Sequence, residues 1–166
     1  MHSHKSSAPP HAHARHNINL RLERWHRRSI YAAGGVLLAS GLAWLLAHYF
    51  LRPVGQFGES VSPLEPWAMK LHGASAMVVL FFLGSLMNAH IRRALKAGRN
   101  LVSGWAMIVT LLLLIVTGYG LYYVAGDSDR PLWSGAHWII GLALGALTVL
   151  HIVLGRRARL RAQAAP

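Results

Sequence analysis

The chain has 166 residues, is 54% hydrophobic and 13% charged, and carries a net charge of +12 with no cysteine. Its apolar residues fall in four long runs, so the basic balance belongs to a membrane protein rather than to a soluble nucleic-acid binder. Without cysteine there are no disulfides, no cysteine-ligated iron–sulfur clusters and no covalently attached c-type haem, so any redox centre must be held by other ligands.

Residues 1–19 are rich in His, Ser, Ala and Pro and read as a disordered tail. Its histidines (His2, His4, His11, His13, His16) fit a solvated tail better than a site for a soft divalent metal. A basic interfacial segment at 20–28 leads into a four-helix transmembrane domain at 29–157, and 158–166 form a basic tail. Spans are expected at Ile30 to Leu51, Trp67 to Ala89, Leu101 to Ala125 and Leu132 to Gly155, each long enough for a hydrocarbon core of about 30 Å. Their interiors hold no Asp, Glu or Arg, and Lys70 sits near an end, where it can reach the headgroups. Pro53, Gly55, Gly58, Pro63 and Pro66 mark the first connection, Gly98 and Asn100 the second, and Gly126 and Pro131 the third.

Connections this short predict an all-α, up-down-up-down bundle. Of the 17 Lys and Arg, six precede span one, four lie between spans two and three, and four follow span four; only Arg52, Lys70 and Arg130 lie at the other end, with four of the five acids. The positive-inside rule then places both termini in the cytoplasm, the expectation for a multi-pass protein of the bacterial inner membrane. The first span follows 29 mostly polar residues and reads as a retained anchor, not a cleaved signal. Trp25, Tyr49, Trp67, Tyr122, Tyr123 and Trp133 near span ends suit interfacial anchoring.

Six histidines lie in or beside the spans: His26, His48, His72, His90, His137 and His151. His137 and His151 are 14 positions apart on span four, some 40° short of four turns and about 21 Å along the axis, so both leave one face. His72 sits about as deep in span two as His137 does in span four, the relation required of two axial ligands on one haem. For His151 there are two candidate mates. His90, 18 residues after His72, shares its helix face, but its rise of about 27 Å overshoots by about 6 Å unless the helix tilts. His26 stands at the mouth of span one. Whichever is not a ligand fits beside a haem propionate with Arg92 or Arg93. His48 suits a quinone carbonyl, a proton relay or a wet interfacial position. Gly34, Gly35, Gly41, Gly118, Gly120, Gly141 and Gly145 suit either a flat macrocycle against the backbone or close helix packing.

On these residues the chain resembles the four-helix di-haem cytochrome b subunits that anchor respiratory formate dehydrogenases and nickel–iron hydrogenases. The shared features are His137 and His151 with Gly141 between them, His72 in Leu71-His72-Gly73, Val116-Thr117-Gly118, and His26 upstream of Ser40-Gly41. The resemblance spans roughly residues 24–155 and departs at Arg27, where the family commonly has an aromatic; the chain is also shorter than the family's anchor subunits, with little beyond Arg161 expected to dock a large partner. The resemblance implies two b haems as cofactors, an outer one on His72 and His137 and an inner one on His151 and His26, with His90 the alternative. It also implies a redox protein partner, membrane lipid around the bundle, a possible quinone and no nucleic acid. The expected role is respiratory electron transport as an electron-transfer subunit rather than a stand-alone enzyme. Other readings are a haem-free membrane protein with structural or metal-binding histidines, disfavoured for zinc by the lack of intramembrane acids, and a single-haem assembly or sensory subunit.

Overall fold

The structure, a computed structural model, describes residues 23–98 and 100–164. The His-rich tail at 1–19, residues 20–22 of the interfacial segment and the last two residues lie outside the described residues. Four helices are long and apolar enough to cross a membrane: α1 (Arg24–Phe50), α2 (Leu64–Leu86), α4 (Leu101–Tyr123) and α5 (Arg130–Ala164), of which Arg130–Ala158 is the apolar part. A π-helical turn, Met87–Ile91, continues α2 into the short α3 (Arg92–Ala97). The basic segments expected to flank the bundle are partly helical: α1 begins within the first of them, and α5 runs through most of the C-terminal tail.

The helix boundaries follow from local chemistry. Pro53 disfavours helical backbone at Arg52, and α1 stops at Phe50. Pro66 and Pro131 lie in the first turns of α2 and α5, where no intrahelical donor is lost. Between α3 and α4 the chain reverses through two left-handed residues, Gly98 (φ 62°) and Asn100 (φ 55°). Asparagine is among the few L residues that adopt this conformation readily, because its short amide bonds locally. The all-α expectation misses one small feature: Val54–Gly55 and Gly58–Glu59 pair as an antiparallel hairpin in the first connection. The hairpin closes on Gly58, whose φ of 100° suits glycine.

Polar and apolar residues are distributed inside out relative to a water-soluble protein. The buried side chains are small or polar: Ala47, Ala68, Ser40, Ser62, Glu65, Ser75, Ser103 and Thr117. Large apolar residues face outward, with Phe81 74% and Val102 87% exposed. Small residues bring helix backbones close, and an apolar exterior matches lipid tails. Packing is closest between α1 and α2 and between α4 and α5, while α1 touches α5 lightly. Along the first pair His26 meets Ser85, Ser40 meets His72 and His48 meets Glu65. Contacts thus advance along α1 as they recede along α2, so the two helices run antiparallel. His72 on α2 is braced by α1, and both histidines of α5 are braced by α4 or the residue that precedes it.

Candidate functional site

Two histidine pairs bridge α2 and its π turn to α5. The rings of His72 and His137 have centroids 6.3 Å apart and planes crossed at 78°. Those of His90 and His151 are 6.2 Å apart and crossed at 81°. The same separation and nearly the same crossing occur at two levels of one interface, set by the 14-residue interval on α5.

Four of the five histidines singled out as ligand candidates therefore form two facing pairs, and the fifth, His26, stands apart. Its Nε2 lies 2.8 Å from Ser85 Oγ, with the ring stacked on Trp25 and tilted against Phe82. The ring opposite His151 is that of His90. His90 lies in a π turn, in which the Arg92 N–H reaches back five residues to the Met87 carbonyl. The one extra residue such a turn absorbs takes up about 1.5 Å of the mismatch in rise, and helix tilt is left to take up the rest.

The hydrogen bonds define which ring nitrogen remains available. Thr117 donates its hydroxyl proton to the Leu113 carbonyl at 2.8 Å, so its oxygen accepts from His137 Nδ1–H, also at 2.8 Å. Ser40 donates to the Leu37 carbonyl, and His72 Nδ1–H, 3.0 Å from that carbonyl and 3.2 Å from the Ser40 hydroxyl, donates to both. Ser103 donates to Asn100 Oδ1 at 2.9 Å, and its Oγ lies 2.9 Å from His151 Nδ1, which Asn100 Nδ2 also approaches to 3.3 Å. Asn100 in turn donates through Nδ2 to the His151 carbonyl at 3.3 Å. In the His72 and His137 rings Nδ1 carries the proton, which leaves the Nε2 lone pair free to bind a metal. His90 differs: its Nδ1 is buried and has no hydrogen-bond partner among the described residues. In His26 the engaged nitrogen is Nε2, because Ser85 directs its own proton to the Phe82 carbonyl.

Glycines make room for two of these rings. A Cβ at Gly41 would lie 3.2 Å from His72 Cε1, and one at Gly118 would lie 3.3 Å from His137 Cε1. Ser40-Gly41 and Thr117-Gly118 thus play matching parts, a hydroxyl to hold Nδ1 and a missing side chain to admit the ring. Gly141 and Gly145 face Leu114 and Leu38 instead, at ordinary packing distance.

His48 belongs to a separate cluster. It stacks on Trp44 at 4.5 Å and lies 3.0 Å from Glu65 Oε2, while Arg52 grips both oxygens of Glu65 at 2.9 and 3.0 Å. The hydrogen bond to Glu65 raises the Arg52 pKa above its ordinary value.

Among the described residues no three of His, Cys, Asp and Glu gather as the ligand set of a divalent ion would. Two imidazoles complete a coordination shell only where the remaining ligands arrive with the metal, as the four nitrogens of a porphyrin do. No family model, curated protein or solved structure matches the chain.

Proposed function

We propose that the chain is a membrane b-type cytochrome, an electron-transfer protein that holds two haems between α2 and α5. The observation that carries this reading is the doubled ring separation. Imidazoles bound on opposite faces of one metal, each with its nitrogen at about 2.0 Å and its ring centre a little over 1 Å behind, have centroids about 6.3 Å apart. The two pairs stand at 6.3 and 6.2 Å. Edge-to-face contact between two neutral rings also spans this distance, but it does not account for the repetition, nor for the Nδ1 atoms of His72 and His137 being fixed so that Nε2 is free.

On this reading His72 and His137 ligate one haem iron, and His90 and His151 the other, with His90 taking the place the resemblance gives to His26. The topology is up-down-up-down, with both termini on the cytoplasmic side of a bacterial inner membrane, so the first pair is outer and the second inner. Bound haem supplies one-electron chemistry between ferric and ferrous iron. The chain's own part would be to hold the group through the paired histidines, to fix ring orientation through Ser40, Thr117 and Ser103, and to surround the site with apolar helix. Electrons pass between a periplasmic redox partner and the quinone pool or a cytoplasmic partner.

Electron paramagnetic resonance on the oxidised protein tests this. Ligand planes crossed near 80° predict strongly anisotropic low-spin ferric signals. A predominantly high-spin signal from intact protein would contradict axial ligation by paired histidines.

A further inference from the structure

Two buried side-chain nitrogens have no hydrogen-bond partner among the described residues, His90 Nδ1 and Trp138 Nε1. The indole is the sharper case, because its N–H can only donate. The buried hydroxyls nearest the outer pair are spent on carbonyls: Ser40 donates to Leu37, Ser75 to Leu71 and His72, and Thr117 to Leu113. The neighbouring indole has its acceptor, since Trp133 Nε1–H donates to Asp129 Oδ2 at 3.1 Å. A buried N–H left without one is costly, so Trp138 calls for an acceptor that the helices do not supply.

The position of Trp138 says what that acceptor is. It directly follows His137 on α5, about 1.5 Å along the axis, and so lies at the depth of the outer pair. Seven residues further on, about 20° short of two turns, a Cβ at Gly145 would meet Leu38 of α1 at 3.6 Å. This face of α5 is thus turned toward α1, whose Leu37 carbonyl holds His72. No acid competes for the N–H, because the span interiors carry no Asp or Glu, and Glu65 is held by Arg52 and His48. A haem brings carboxylates on its edge, and a carboxylate inside an apolar bundle needs a donor.

We infer that the Trp138 indole N–H binds a propionate carboxylate of the haem held by His72 and His137. This inference rests on the cytochrome reading and adds an anchoring residue to it. Two axial bonds leave a macrocycle free to rotate about the line joining the imidazoles, and a third contact at its edge fixes that rotation. The same hydrogen bond offsets part of the carboxylate's negative charge, which otherwise favours ferric iron.

Resonance Raman spectroscopy and redox titration of the full-length protein in lipid nanodiscs test the assignment. Trp138→Phe keeps an aromatic ring and removes the N–H. It should shift the propionate-bending band of the haem that is absent from His137→Ala and lower the midpoint of that haem, with the other haem unchanged. Trp133→Phe, which removes an N–H held by Asp129, should leave both bands in place. An unmoved band in Trp138→Phe, an equal shift in Trp133→Phe, or a band that responds to Trp138→Phe only when a quinone analogue is present would each overturn the inference. If Trp138→Phe loses that haem, Trp138→Tyr, which keeps a donor at the ring edge, decides: a retained haem upholds the hydrogen bond, and loss in both variants makes the residue a packing element. A wild-type chain that binds no haem removes the cytochrome reading itself, an outcome distinct from an unmoved band.

Discussion

A hydroxyl that has given its proton to a carbonyl has only lone pairs left to offer, and this fixes the state of the ring beside it. Thr117 is the clearest case, and its position was legible only as part of a Val-Thr-Gly step. The spacing that exposes its role is in the sequence: Ser103 and Thr117 on α4 are 14 apart, as are His137 and His151 on α5. The histidine interval taken alone does not disclose the Nδ1 partners. Glycine was equally ambiguous, because its missing side chain does not say what fills the space. The structure separates the cases, since a Cβ at Gly120 would overlap the Trp133 ring, whereas one at Gly141 would meet only Leu114 Cδ2 at 3.9 Å. Gly120→Ala should therefore destabilise the bundle by about 1–3 kcal/mol, and Gly141→Ala should be neutral or stabilising by up to about 1 kcal/mol. Unfolding of each variant in mixed detergent measures both. For the histidines, His26→Ala should retain both haem components, because its Nε2 is held by Ser85. Loss of the inner component in that variant would return the ligand to α1.

At the scale of the element, His90 is carried by the π turn at Met87–Ile91. The length of the apolar runs located four spans, and the helices begin within six residues of expectation. Helical periodicity located the histidine faces. It could not choose between His26 and His90, because a rise of 1.5 Å per residue is built into any such reading and a π turn departs from it without a distinctive residue pattern. At the other end of α1 and α2, Arg52 and His48 converge on the buried Glu65. Glu65→Ala removes the shared partner of Arg52 and His48 and should lower the unfolding midpoint in the same assay, with little change in either haem spectrum.

Across the whole molecule, what was most legible was what the lipid dictates: four apolar helices, with Asp, Glu and Arg kept out of the span centres. The small hairpin at Val54–Glu59 and the helical course of the basic tails were not, because short turn segments and charged helix ends lack the long apolar period that marks a span. The 14-to-3 division of basic residues predicts that a reporter active only in the periplasm is silent when fused after Arg161 and active when inserted near Gly58 or Ser128. Activity at the C-terminal fusion would exchange the outer and inner labels. The central claim is that each facing histidine pair holds one haem iron, and it meets its most direct test in the haem content of the purified chain. A pyridine haemochrome assay on protein from haem-replete cells should give two b haems per chain for wild type and one for His137→Ala. A colourless wild-type protein, or one whose haem content is unchanged by that substitution, would contradict it.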